Sequence, residues 1–229
     1  MTTVTTADKF FNHLEKDSGN IENSLSRVSA KLDSKCVSEV LSRCYPKRSH
    51  MGLRFFIWAG LQSSYRHSAY MYGRACKLLD IRKNPQMVFN VIEAYRVEGS
   101  FVTVNTFKVV LKLCKEAQLA DVALWALRKI PEFSLQADTT VYNLVIRLFS
   151  EKGDTDMAEN LMKEMGLSDL YPDIITYITM IEGFCNVGRL EDAYMLIGVM
   201  RGNGCFPNTV VYSALLGGFC RIWKYGEGI

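Results

Sequence analysis

The chain is expected to be all-α, a right-handed α-solenoid of stacked helix-turn-helix units with a period of 35 residues. Three observations lead there. Tyr72, Phe107, Tyr142, Tyr177 and Tyr212 stand 35 residues apart, with Val37 one period upstream. Apolar residues inside each period fall at i, i+3, i+4 and i+7, the stripe of an amphipathic helix rather than the alternation of a strand. Only five prolines in 229 residues, with abundant Leu, Ala, Met, Glu and Lys, favour helices over short strands punctuated by turns. The same interval separates Gly153 from Gly188, Met165 from Met200 and Pro172 from Pro207, and it recurs through Phe149, Phe184 and Phe219.

Taken in order, residues 1–33 carry a weaker helical pattern and are expected to form an N-terminal helical cap. Residues 34–68 form a first, degenerate unit whose opening helix holds Val37, Val40, Leu41 and Cys44. In 69–103 the two helices hold Tyr72, Ala75, Cys76 and Leu79, then Val88, Val91, Ile92 and Tyr95. Between them Asn84 precedes Pro85, a cap followed by proline at the first helical position. Unit 104–138 repeats the template with Phe107, Val110, Leu111 and Cys114, then Ala123, Ala126, Leu127 and Ile130. Units 139–173 and 174–208 are the most regular, and each turns at a glycine, Gly153 or Gly188, which tolerates the left-handed conformation that ends a helix. Residues 209–229 make a partial unit in which Tyr212, Leu215, Leu216 and Phe219 lack a second helix. A hairpin of about three turns per helix cannot bury its apolar stripe alone, so neighbouring hairpins must stack and share one core.

Composition bounds the function. With 48% apolar and 22% charged residues, and no run near the roughly 18 apolar residues of a membrane span, a soluble folded protein without a membrane partner is expected. A net charge of +3 is too small to mark a nucleic-acid binder in bulk, so the placement of the charges has to decide. Seven cysteines without a CxxC pair, and without histidine at ligand spacing, argue against zinc, and their odd number argues against a disulfide framework. No metal and no cofactor are expected. His13, His50 and His67 lie outside any nucleophile or acid–base pattern, so the chain is not expected to be an enzyme. Asp154, Asp156 and Glu159 look like a metal cluster only by proximity; carboxylates at a helix start face the positive end of its dipole. The first twenty residues contain Asp8, Glu15 and Asp17 and no arginine, so neither a transit peptide nor a secretory signal is evident.

The placement of the cations is informative. On the first helix of 104–138, Lys108, Lys112 and Lys115 share one face beside the apolar seam. Lys77, Lys112 and Arg147 recur at intervals of 35, a pattern that suits the phosphates of a single strand, and it stops at Glu182 and Gly217. Lys77, Lys112, Lys115 and Arg147 are therefore candidate phosphate-binding residues.

The stretches TTVYNLVIRLFSEKGDTDMAENLMKEMGLSDLYPD (139–173) and IITYITMIEGFCNVGRLEDAYMLIGVMRGNGCFPN (174–208) resemble pentatricopeptide repeats nearly throughout. The pattern runs from a threonine or valine and a tyrosine, through a Phe-Cys or Leu-Cys pair and a glycine, to a closing Pro-Asp or Pro-Asn. Units 69–138 resemble it less closely, and 34–68 only through its helix template and the phrase MGLRFFIWAG. The likeness is to the plain class of the family, of plant organellar type. It implies binding of single-stranded RNA at about one nucleotide per repeat, in organellar RNA processing, splicing, stability or translation. It also implies which residues read bases: the one after the aromatic and the last of each repeat. These are Asn143 with Asp173, which matches the family's uridine reader, Ile178 with Asn208, Lys108 with Asp138, and Ser213. Gly73 with Thr103 and Ser38 with Ser68 match no readable pair. Residues opening the first helix, Thr140, Ile175 and Val210, would wedge against bases. A mitochondrial location is implied, with the chloroplast as the alternative. The alternative function is a protein-binding or ribosome-associated α-solenoid scaffold with little RNA sequence reading. A protein partner, or self-association through the open C-terminal end, is also expected, because the last apolar stripe lacks a covering helix.

Overall fold

The structure, a computed structural model, describes residues 5–16 and 21–226. The chain divides into two compact units, residues 1–136 and 137–229. The first holds α1 (Thr6–Lys16), α2 (Ile21–Ser26), α3 (Ser34–Cys44), α4 (Ser49–Gly60), α5 (Ala69–Leu78), α6 (Gln86–Val97), α7 (Val104–Ala117) and α8 (Ala120–Lys129), followed by a 3-10 turn over Ile130–Phe133. The second holds α9 (Thr139–Lys152), α10 (Thr155–Leu167), α11 (Ile174–Asn186), α12 (Leu190–Gly202) and α13 (Thr209–Gly226). The helices α3, α5, α7, α9, α11 and α13 thus begin at a constant interval of 35 residues. Among the described residues no helix is long and apolar enough to cross a membrane.

In the first unit α3, α5 and α7 pack side by side, α1 lies on α3 and α2 on α4. The phrase MGLRFFIWAG explains what is unusual here. Leu53, Phe55, Phe56, Ile57, Trp58 and Ala59 are apolar around the whole circumference of α4, and a helix of that kind has to be covered on every side. It is: α4 packs against α3, α6 and α7, and all six residues are buried. Gly52 permits the approach, since a Cβ there would lie 2.8 Å from Leu79 and 2.9 Å from Cys44. Inside this core sits one cation. Arg54 donates through Nε and Nη2 to Glu22 (2.9 and 2.7 Å) and through Nη1 and Nη2 to Glu98 (2.9 and 2.7 Å). Its guanidinium also lies 5.1 Å from the centre of the Tyr95 ring. Burial opposes its charge, yet the hydrogen bonds to Glu22 and Glu98 hold its pKa above the ordinary arginine range.

Two local expectations need correction. Asn84 makes no capping bond; α6 starts at Gln86, with Pro85 before it already at a helical φ of −64°. The proline ring pre-sets that dihedral and leaves the side chain of Asn84 unused. Further on, α8 stops at Lys129 because Pro131 cannot continue it, and Ile130 keeps its place in the core from a 3-10 turn.

In the second unit α9 pairs with α10 and α11 with α12, while α9, α11 and α13 form a row. Gly153 and Gly188 adopt φ of +85° and +81°, as the turns between paired helices require. Asp154 caps α10 by accepting from the backbone N–H of Met157 at 3.1 Å. Asp156 and Glu159 meet Arg189 at 2.6 and 3.8 Å, and Arg189 also donates to Thr155, so this acidic group joins successive hairpins. Small residues let the first helices approach closely. A Cβ on Gly183 would stand 2.9 Å from Cβ of Ser150, and one period later a Cβ on Gly218 would collide with the side chain of Cys185. Two effects therefore compete in Gly218→Ala. Helix propensity favours alanine by about 1 kcal/mol, whereas overpacking costs about 1–3 kcal/mol. Because the clash is with the near part of a buried side chain, the second dominates, and a thermal melt of Gly218→Ala is expected to show a lowered midpoint.

Five cysteines (Cys36, Cys44, Cys76, Cys114 and Cys185) are buried within the two cores. Burial pushes the thiols of Cys44, Cys76 and Cys114 up to about 12. They act as small apolar groups.

Candidate nucleic-acid interface

The last residue of each repeat is placed by helix capping. Ser68 accepts from the N–H of Met71, Asp138 from Val141, Asp173 from Thr176, and Asn208 from Val210 and Val211. Thr103 shares a capping box with Thr106. A short oxygen-bearing side chain is favoured there because it satisfies N–H groups that lack helical partners. These side chains therefore have a structural role at the helix starts that needs no ligand.

The residue after the aromatic lies in the second turn of the first helix. Asn143 is only 9% exposed, and its amide Nδ2 donates to Oδ1 of Asp173 at 3.0 Å. Its Oδ1 accepts from the hydroxyl of Thr176 at 2.6 Å, and the N–H of Asp173 donates to that same hydroxyl oxygen at 3.1 Å. Asn143 and Asp173, 30 residues apart, are therefore joined directly, with fully buried Thr176 behind them. Sequence reasoning missed Thr176. The signal for it was the capping-box spacing from Asp173, the spacing that also links Thr103 to Thr106. An amide carries two hydrogens and a carboxylate two oxygens. The Asn143–Asp173 bond takes one of each.

The remaining candidates on the first helices differ in exposure. Ile178 and Lys108 are half-buried and Ser213 is exposed. Among the wedge candidates Thr140 is exposed, and Ile175 and Val210 are 56% and 53% exposed, an unusual position for branched apolar residues in the first turn of a helix.

For the phosphate candidates, Lys77 on α5 and Lys112 on α7 are exposed on helices that pack against each other, and Lys115 is half-buried. In the second unit Arg147 is exposed on α9 and paired with Glu151 at 2.8 Å. An exposed i,i+4 pair of this kind contributes only about 0.3–0.5 kcal/mol, so a phosphate can displace it.

The PPR repeat family model matches residues 137–186 and 172–221. This stretch of the chain is built of pentatricopeptide repeats. Pentatricopeptide repeat-containing protein At5g47360 of Arabidopsis thaliana is 52% identical over 144 residues, which span 63% of this chain and 30% of that one. The crystal structure of pentatricopeptide repeat protein PPR10 from maize superposes on 97% of this chain and 36% of its own at a TM-score of 0.55, with 17% identity. PPR10 in complex with an 18-nt psaJ RNA element gives a TM-score of 0.54 over 97% of this chain and 37% of its own, again at 17% identity. These likenesses show the α-solenoid fold. The chain spans about a third of the length of these relatives. Its helical hairpins stack first helix on first helix within each unit, the arrangement the 35-residue period demands.

Proposed function

We propose that this chain binds single-stranded RNA on the exposed faces of its first helices, at about one nucleotide per repeat, and serves in the processing, splicing, stability or translation of an organellar transcript. The Asn143–Asp173 pair carries the reading. The second amide hydrogen of Asn143 and the second carboxylate oxygen of Asp173 make a donor beside an acceptor. Uracil offers the complement, a carbonyl oxygen beside an N–H, whereas the bare N3 of cytosine would face the carboxylate and be repelled. Thr176 holds the amide so that its N–H is already oriented, which lowers the ordering cost of binding. Ile175 and Val210 supply the apolar edges against which bases stack, and Lys77, Lys112, Lys115 and Arg147 supply the cations for the backbone. The structure of PPR10 with its RNA element supports the reading by analogy of fold. Two Arabidopsis thaliana relatives, At1g80550 and At1g77360, carry "mitochondrial" in their names, which favours that organelle over the chloroplast.

One observation favours an additional protein contact. Tyr194, Met195 and Val199 on α12 and Leu216 on α13 are exposed apolar residues of the second unit, a surface suited to a protein partner or to self-association.

Selection from randomised RNA tests the reading. The wild-type protein is expected to enrich uridine at one position. Asn143→Thr, with Asp173 kept, is expected to move that position toward guanosine, whose N1–H can still donate to the carboxylate and which the family's scheme pairs with threonine and aspartate. An unchanged profile would remove Asn143 from the readers.

A further inference from the structure

The turn that follows the second helix of each hairpin recurs along the chain. Gly99, Ser134, Asp169 and Gly204 stand 35 residues apart, and all four take a left-handed φ, of +61°, +56°, +56° and +74°. After three of them the next N–H closes back onto the helix just ended: Ser100 donates to the carbonyl of Tyr95 at 3.0 Å, Leu170 to Met165 at 3.1 Å and Cys205 to Met200 at 3.0 Å. Such a closure satisfies carbonyls that lack helical partners and fixes the direction in which the chain leaves. The residue that comes next is an aromatic ring without cover. Phe101 is 93% exposed, Tyr171 82% and Phe206 78%.

In the second unit these rings are held from both sides. The closure precedes them, and Pro172 or Pro207 follows, which confines the residue before it to extended backbone. Asp173 is extended as well, at φ −95° and ψ 178°. Side chains two apart on extended backbone leave on the same side, so Tyr171 stands beside Asp173. Ile175, also exposed, follows Asp173 by two residues and opens α11. Asp173 is thus flanked by an exposed ring and an exposed branched side chain, and Phe206 and Val210 flank Asn208 at the same offsets.

We infer that Tyr171 and Phe206 are base-stacking residues for single-stranded RNA, each covering the base presented to the residue two positions later. The inference rests on the function proposed above and adds a contact outside the positions that the resemblance supplies. A ring suits a single strand because every base has a π-face. The spacing suits it too: α9, α11 and α13 form a row, packed helices lie about 8–10 Å apart, and the rings recur once per hairpin. Asp169, Asp173, Asn203 and Asn208 interrupt the apolar character around the rings, whereas a protein-docking surface is a contiguous apolar patch.

The test titrates a uridine-containing single strand against the wild-type protein, the double variant Tyr171→Ala and Phe206→Ala, the exchange Tyr171→Phe and Phe206→Tyr, and Leu167→Ala. The double alanine variant is expected to bind weaker by about tenfold or more, with an unchanged slope of log affinity against log salt, because rings are lost and no cation is. The exchange keeps wild-type affinity. Leu167→Ala keeps it too, since that side chain is as exposed but carries no ring. A strand bearing 5-iodouridine is expected to photocross-link to Tyr171 or Phe206, mapped by peptide mass spectrometry. Wild-type affinity in the double alanine variant overturns the inference and leaves the proposed function standing. An equal loss in Leu167→Ala, or a loss confined to self-association, also overturns it and assigns the rings to apolar contact with a protein. If the wild-type protein binds no single strand, the proposed function fails and the inference falls with it.

Discussion

Replacing Arg54 by alanine is expected to lower the unfolding free energy of the first unit by about 1.5–3 kcal/mol, the largest effect of any single side chain outside the apolar core. The magnitude follows from what is left behind. Arg54 is 5% exposed and bridges Glu22 and Glu98 with paired hydrogen bonds to each. Its removal leaves two carboxylates facing each other; breaking a fully buried ion pair from one side costs about 3–5 kcal/mol, and because the side chains of Glu22 and Glu98 are 22% and 35% exposed the loss falls below that range. Arg54→Lys keeps the charge but cannot form two forks, so an intermediate loss is expected. Adding Glu22→Gln and Glu98→Gln to Arg54→Ala should restore part of the stability, because the uncompensated charges disappear with it. Urea titration followed by tryptophan fluorescence reports on this unit through Trp58 and Trp125. A midpoint for Arg54→Ala within experimental error of the wild type would show that α2, α4 and α6 are held without the charge cluster.

The second large effect concerns RNA. The triple variant Lys77→Glu, Lys112→Glu and Arg147→Glu is expected to weaken binding of a uridine-containing single strand by more than tenfold at low salt. Each phosphate contact on a single strand contributes about 0.7 to the slope of log affinity against log salt. Removing three contacts should flatten that slope by about 2. Arg147 is expected to contribute least, because its charge is shared with Glu151. Circular dichroism should be unchanged, since all three side chains are exposed. Retained affinity in a folded triple variant would remove this set of residues from the proposal.

The sequence showed the phase of the first helices because a buried stripe repeats with the period of the unit: Tyr142, Val145, Ile146 and Phe149 on α9 recur as Tyr177, Met180, Ile181 and Phe184 on α11, and all are buried. Gly153 and Gly188 were readable as turns for a local steric reason. What was not legible depends on contacts between residues far apart in the chain. Arg54 lies within an apolar phrase, and its partners Glu22 and Glu98 are 32 and 44 residues away. The reach of α4 to α7 needed two independent features, an all-round apolar surface and Gly60 at its end, where a Cβ would lie 3.2 Å from Val109, and only the first is visible as a pattern. The candidate interface was legible as positions but not as bonds. The resemblance implied Asn143 and Asp173, whereas the hydroxyl of Thr176 that fixes them emerges only once the helices are packed.

A salt titration of the wild-type protein with a fluorescent single-stranded RNA tests the central claim most directly. The account predicts saturable binding at low salt that weakens steadily as salt rises, with competition by a uridine-rich strand and little by a duplex of the same sequence. Absence of binding at low salt, or binding indifferent to salt, would contradict it and favour the scaffold reading.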